Sequence, residues 1–343
     1  MNETNVVAPL YSGANLARLR RRAYPALAAT IVLIWFFYFA LNHRWELFSD
    51  NWPMSLTMLF GSFIGSSTPQ GSAAVGFPVL TKLLQIPAAD SRTFGLMVQS
   101  VGMTLASVLI LARSIRILPK VILWTTLGSA LGIILGTYFF TIPDPYPRIL
   151  FTLGITTFGV ALFISRWGLK WTPRHALPGW GVGYLLLFIL VGVVGGFLTA
   201  QTGSGANIVT FVVLTLAFGI DEKIGTPTSV IIMALNSLVG FFLHGVVSHD
   251  IGIVWNYWLV TVPIVAFGAP LGAYVVSRVS RDVLIMFVLF LISIEMITTL
   301  LLIPFSSSMV TVIAFVLGGC ALSFFAMLCY RQKWLALRPS TTD

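Results

Sequence analysis

The sequence predicts an all-α polytopic membrane protein with two inverted repeats of about five transmembrane or half-membrane helices each. Three observations support this fold class. Of the 343 residues, 57% are hydrophobic and 9% are charged, whereas a soluble protein carries roughly a quarter charged residues. Twelve apolar runs follow one another along the chain, and two stretches within them resemble each other across the two halves. We therefore treat residues 1–343 as a single transmembrane domain.

The apolar runs are separated by charged residues, prolines or polar turns. Most are close to the roughly 20 residues that a membrane-spanning helix needs. Three shorter runs predict tilted helices or half-helices that meet at a turn inside the membrane. A non-helical backbone is tolerated at that depth only if protein or a water-filled cavity provides partners for its N–H and C=O groups. The runs lie at about 24–41, 54–68 (short), 71–86 (short), 93–112, 119–140, 147–165, 180–200, 204–219 (short), 227–246, 254–276, 282–303 and 308–330.

Two stretches, 61–86 and 195–220, align at an offset of 134 with ten identities, and each has a polar centre rich in small residues. Paired apolar segments that are interrupted by Gly or Pro in corresponding places point to a transporter's binding site. A second similarity links 132–138 with 268–274, where each copy contains a GxxxG pair. These glycine pairs predict close helix packing.

The duplicated unit extends over about 54–165 (repeat 1) and 180–303 (repeat 2), with five apolar runs in each. Because five is odd, the second copy enters the membrane from the opposite side, which makes the repeat inverted. Residues 24–41 and 308–330 are expected to form peripheral helices outside the repeats.

The positions of Lys and Arg predict the orientation in the membrane. Sixteen of them fall in loops and tails on one side, and three, Arg44, Arg92 and Arg148, fall on the other. Cytoplasmic loops carry the excess of positive charge, so a multi-pass protein of the cell inner membrane with both termini in the cytoplasm is expected. The same bias accounts for the formal net charge of +9 without a nucleic-acid partner.

The polar centres of the two stretches are the predicted tips of helical hairpins and the candidate substrate site. A helix that begins at a tip has free N–H groups and a partial positive charge there, and serine and threonine hydroxyls add donors. Two such tips would form a site for a small oxyanion. Alternatively, the small residues only permit tight packing, but their duplication favours a site. The candidate residues are Ser66, Ser67, Thr68, Gln70, Gly71, Ser72, Gln201, Thr202, Gly203, Ser204, Gly205 and Asn207.

Four uncharged polar residues lie deep in neighbouring apolar runs: Gln99, Ser100, Asn236 and Ser237. Isolated amides are unfavourable in such places unless they are paired. Substrate contact and structural bridging between helices are both open for them, and the duplication favours contact.

Several ionisable residues lie within the apolar runs or beside them. Glu295 is a candidate for proton coupling, and a protonated structural role is equally compatible with the sequence. Lys82 is expected to snorkel to the headgroups, and His244 and His249 are expected to anchor at the interface. No metal-ligand spacing and no catalytic constellation accompanies these residues, so no metal, no cofactor and no enzyme activity is predicted.

Given the two hairpins, the length, the duplication and the GxxLGxY similarity, the chain resembles the TauE/SafE family of sulfite exporter-like transporters over about 54–303. The resemblance implies export of a small sulfur-containing anion, such as sulfite or an organosulfonate like sulfoacetate, through a midplane site. The tips, with hydroxyls and no carboxylate, agree with an anionic substrate.

Other functions are also compatible with the sequence. The same donors could line an anion channel, or the protein could be an uptake carrier for another small anion. An intramembrane enzyme or a chaperone-like assembly factor is a further alternative. The expected partners are the anionic substrate and the lipid bilayer, and a homo-oligomer is possible.

Overall fold

The computed structural model describes residues 14–163, 167, 173–303 and 306–336. These residues form α-helices and contain no strand, as the composition and the apolar runs predict. The twelve helices found there are α1 (Ala14–Leu41), α2 (Leu47–Ser67), α3 (Ala73–Pro78), α4 (Ala88–Ala112), α5 (Pro119–Tyr138), α6 (Tyr146–Phe163), α7 (Val182–Thr202), α8 (Ala206–Val212), α9 (Glu222–Phe242), α10 (Val254–Val276), α11 (Arg281–Leu302) and α12 (Ser307–Ala336).

Each predicted apolar run corresponds to one helix, but α2, α4 and α9 begin five to seven residues earlier than predicted. Their first turns are polar, so hydropathy alone does not include them. In α9, the Asp221 side chain accepts a hydrogen bond from the Lys223 N–H, and such a cap fixes the start of a helix regardless of its hydropathy. In α2, Asn51 departs from helical geometry just before Pro53.

The helices α2 and α3 form hairpin 1, and α7 and α8 form hairpin 2. Each short arm continues into a π-helical turn, Val79–Leu83 in hairpin 1 and Val213–Ala217 in hairpin 2. The two short arms are about 16 to 18 Å long at 1.5 Å per residue, roughly half of a 30 Å hydrocarbon core. The π-helical turns begin 134 residues apart, which is the offset of the sequence duplication.

The same side-chain bond occurs in both π-helical turns. The Thr81 hydroxyl donates to the Phe77 carbonyl at 2.7 Å, and the Thr215 hydroxyl donates to the Phe211 carbonyl at 2.7 Å. Threonine hydroxyls that bond back to the preceding turn loosen a helix. The identical residues Phe77 and Phe211, and likewise Thr81 and Thr215, therefore make equivalent structure in the two hairpins.

The hairpins are held by helices of the opposite half. Helix α5 packs on α7, α10 packs on α2, and α4 packs on α9. A Cβ on Gly132 would overlap the Val193 carbonyl oxygen of α7, and one on Gly272 would overlap the Phe63 carbonyl oxygen of α2. The glycine pairs thus allow helix backbones to touch, as predicted.

Eight helices in the described part of the chain are long and apolar enough to cross a membrane. The most apolar window of α12 has no buried residue, whereas 78% of the α4 window is buried. Of these spans, α4 is therefore the most deeply buried and α12 the most peripheral.

Candidate functional site

The two hairpin tips contact each other directly. The Ser204 hydroxyl donates to the Gln70 carbonyl at 3.0 Å, and the Asn207 amide donates to the Pro69 carbonyl at 2.8 Å. The Asn207 side-chain oxygen also accepts from the Gly205 N–H at 3.1 Å. Side chains of hairpin 2 therefore hold the backbone of hairpin 1.

Glycine is required at two positions of the tips. Gly71 has φ +76° and Gly203 has φ +77°, in the left-handed region that glycine adopts without strain. A Cβ on Gly71 would overlap the Met233 sulfur of α9, and one on Gly203 would lie 3.0 Å from the Arg92 carbonyl oxygen of α4. Hairpin 1 is thus pressed against α9, and hairpin 2 against α4.

Four of the predicted site residues have buried polar atoms without a hydrogen-bond partner. Within the described residues, this holds for both amide atoms of Gln70 and Asn236, for Gln99 Nε2 and for the Ser72 hydroxyl. None of the four residues is more than 2% exposed. A buried polar group without a partner costs about 1–3 kcal/mol, so these atoms are suited to receive a ligand or water. We call these four residues the open polar set.

The open polar set lies where the tips meet α4 and α9. Gly71 touches Met233, and Asn236 and Ser237 follow Met233 by three and four residues, on the same helix face. The Ser237 hydroxyl donates to Gln99 Oε1 at 3.1 Å, which connects α9 to α4. The set provides amide and hydroxyl donors and contains no carboxylate, so it can bind an oxyanion without competing negative charge.

Several other predicted residues donate to backbone carbonyls instead. Their oxygen atoms can still accept, but the hydroxyl proton is used within the protein. Contact of these residues with a substrate stays a prediction. The hydroxyls in question are those of Ser66, to Ala269, Ser67, to Phe63, Thr68, to Ile64, Ser100, to Met97, and Thr202, to Ser204 or Leu198.

Gln201 connects hairpin 2 to the end of α5. Its side-chain nitrogen donates to the carbonyls of Gly136 and Phe140 at 2.9 and 3.0 Å, and its oxygen accepts from the Ile142 N–H at 3.0 Å. The amide is fully used in this bridge, so Gln201 fixes the position of the tip.

The prediction that Lys82 snorkels to the headgroups is wrong. Lys82 is buried and its ammonium lies 2.7 Å from Glu295 Oε1, with Thr299 also at 2.7 Å. Thr152 of α6 donates to the same carboxylate oxygen at 2.6 Å. A partner in α11 makes burial of the charge possible. Glu295 therefore ties the short arm of hairpin 1 to α6 and α11, away from the tips.

The expected interfacial anchoring of His244 is also wrong, since this side chain is only 2% exposed. Its Nδ1 lies 2.9 Å from the Asp250 carboxylate. His249 is exposed.

Sequence reasoning placed Arg92 in a loop, but it lies in the second turn of α4. It lines a cavity together with Gln201, and its Nε is buried without a partner in the residues that the structure describes. The observed starts of α4 at Ala88 and α9 at Glu222 are 134 residues apart, so the equivalence of the two halves extends to the polar first turns that hydropathy missed.

A family model for the sulfite exporter TauE/SafE matches residues 54–297, which include both hairpins and the open polar set. The chain belongs to the TauE/SafE family. Members of this family are membrane transporters, and the apolar helices agree with a multi-pass membrane protein. Comparison of the chain with curated proteins and with solved structures gave no match.

Proposed function

We propose that this TauE/SafE protein is a secondary transporter that exports a small sulfur-containing anion, sulfite or an organosulfonate such as sulfoacetate, from the cytoplasm. The anion binds at the tips of the two hairpins and is exposed to the two sides of the inner membrane in turn. The family supplies the substrate class, and the open polar set is the observation on which the proposed site rests.

The composition of the site suits release as well as binding. Gln70, Gln99 and Asn236 supply amide groups and Ser72 supplies a hydroxyl, all without a formal charge. Hydrogen bonds to a charged group contribute about 1.5–3 kcal/mol each, so a few of them bind an anion without trapping it. The absence of a carboxylate from the set favours an anion over a cation as the substrate.

Two inverted repeats, 54–165 and 180–303, are part of the proposal. The equivalent π-helical turns and the exchange of packing partners between halves support the duplication. Alternating access in repeat-built transporters proceeds by movement of one repeat or bundle against the other around a fixed site. The bias of Lys and Arg supports the orientation with both termini in the cytoplasm.

Glu295 is the proposed proton-coupling residue. Its Oε1 is bonded to Lys82 and Thr152, while Oε2 is buried without a partner within the described part of the chain. Protonation would weaken the bond to Lys82 and release the short arm of hairpin 1. A Glu295→Gln variant is expected to transport with a flattened pH dependence, and an unchanged pH profile would remove Glu295 from this role.

Binding to the purified protein tests the site. Sulfite, sulfoacetate, sulfate and chloride are titrated into the protein and into its Ser72→Ala and Ser204→Ala variants. Ser107→Ala is the control, because Ser107 is a buried serine on α4 whose hydroxyl bonds only to Met103. Weaker binding in the first two variants and unchanged binding in the control are expected. Unchanged affinity in both tip variants would overturn the tip site.

Transport in proteoliposomes separates a carrier from a channel. A carrier shows saturable counterflow, in which unlabelled anion on one side drives uptake of labelled anion from the other. Single-channel currents without counterflow would instead favour an anion channel.

A further inference from the structure

Two cavities of similar size adjoin the hairpins. One, of about 310 Å³, is lined by the start of α4, including Ala89 and Arg92, and by Gln201. The other, of about 290 Å³, is lined by the start of α9, including Lys223, and by Ser66. We call them the α4 vestibule and the α9 vestibule.

The vestibules lie at opposite ends of α4. Arg92 lines the α4 vestibule and Ile110 lines the α9 vestibule, and these residues are separated by about 27 Å at 1.5 Å per residue. Each vestibule reaches a different hairpin. Gln201 at the end of α7 borders the first, and Ser66 at the end of α2 borders the second. The two hairpins are therefore bordered by cavities at opposite ends of α4.

The vestibules are equivalent in the duplication. Ala89 and Lys223, which are 134 residues apart, hold the same position near the starts of α4 and α9. Chain segments that follow α5 and α10 complete the two linings, with Thr141 in the first and Ser277 in the second. Two equivalent cavities therefore lie at the two ends of the molecule, as a pathway with alternating access requires.

The two vestibules differ in the charged residues that line them. Among the described lining residues of the α9 vestibule, Arg116 and Lys223 are cationic and Asp221 is the carboxylate. In the α4 vestibule, Arg92 faces Asp144, and Asp144 is ion-paired with Arg148 at 3.3 Å.

Two further carboxylates act on Arg92. Asp90 and Asp250 both attract its guanidinium electrostatically. The α4 end is therefore rich in acidic residues, whereas basic residues dominate the α9 end. A cleft lined by one sign of charge raises the local concentration of oppositely charged solutes.

We infer that the α9 vestibule is the loading mouth for the anion, with Arg116 and Lys223 as its capture residues, and that the α4 vestibule is the discharge mouth. The inference rests on the proposed function and adds a direction to it. The basic mouth collects anions, whereas the carboxylates around Arg92 disfavour rebinding after release. In the proposed orientation the start of α9 faces the cytoplasm, so this asymmetry favours capture of the anion from the cytoplasm.

The test is uptake of radiolabelled sulfite into proteoliposomes, with initial rates measured for entry through each end of protein of determined orientation. The variant is Arg116→Gln/Lys223→Gln. The control, Arg113→Gln/Lys120→Gln, removes two nearby basic residues that stack on Tyr274 and Trp180 outside the vestibule. At low salt, the KM for sulfite presented at the α9 end is expected to rise about five- to tenfold in the variant, the KM at the α4 end to change little, and the control to resemble the wild type at both ends. High salt should reduce the difference, because exposed charges are then screened.

Equal changes in KM in variant and control, or an equal rise in KM at the two ends, would overturn the loading mouth while leaving the proposed function intact. Wild-type protein that moves neither sulfite nor sulfoacetate would instead overturn the proposed function itself.

Discussion

The two hairpins share a fold but use their polar side chains differently. In hairpin 2, Asn207 and Ser204 bond to backbone groups of both tips. In hairpin 1, Gln70 and Ser72 belong to the open polar set. Of the two similar tips, one is therefore a clamp that holds the backbone of both tips, and the other has unpartnered donors within the described residues.

The short arms of the two hairpins also differ in their buried side chains. Lys82 in hairpin 1 is ion-paired with Glu295, whereas the equivalent position in hairpin 2 is Leu216, a fully buried residue in an apolar cluster with Phe151 and Ile292. An apolar contact is insensitive to pH, while an ion pair can be broken by a proton. In the proposed function, hairpin 1 is thus the hairpin on which the ligand and the proton both act.

The largest expected effect is the loss of the ion pair. A Lys82→Met variant leaves Glu295 buried without its cation, which costs about 3–5 kcal/mol. The double variant Lys82→Met/Glu295→Leu should recover most of the stability, because both charges are removed. Thermal unfolding in detergent measures the effect, with Leu216→Met as the control in the other short arm, where a volume-conserving change costs less than about 1.5 kcal/mol. Equal stability of the Lys82→Met and Leu216→Met variants would contradict the difference between the arms.

A second effect concerns the clamp in hairpin 2. An Asn207→Ala variant loses the bonds to Gly205 and Pro69 and leaves buried backbone groups unpaired, so a loss of about 2 kcal/mol is expected. Asn51→Ala, which removes one bond to Leu47 from a half-buried asparagine, is the control and should lose less. The same unfolding measurement applies, and an Asn207→Ala protein as stable as the control would mean that the tips do not depend on the clamp.

Much of the fold could be predicted from the sequence because the bilayer imposes both hydropathy and length on each helix. Twelve runs became twelve helices in the described part of the chain. The starts of α4 and α9 were missed by five residues, since their polar first turns are defined by capping and packing. That error placed Arg92 in a loop rather than in the wall of a vestibule.

The contact between the two hairpin tips could be predicted from the sequence, but the hydrogen bonds of the tip residues could not. Gln70 and Gln201 look alike as amides in polar tips, yet one is open and the other is fully bonded to α5. The Lys82 error has the same origin, because its partner Glu295 lies 213 residues further along the chain. A partner so far along the chain leaves no pattern in the sequence around Lys82.

The smallest expected effect compares the two glutamines directly. A Gln70→Ala variant removes an open amide, so we expect anion affinity to fall about tenfold, or about 1.4 kcal/mol, with no loss of thermal stability. A Gln201→Ala variant removes the bridge to α5 and should lower the unfolding temperature. Anion titration and thermal unfolding on the same samples separate the two roles. If Gln70→Ala binds like the wild type while folded Gln201→Ala binds weakly, then the ligand contacts hairpin 2, and the assignment of clamp and ligand site must be reversed.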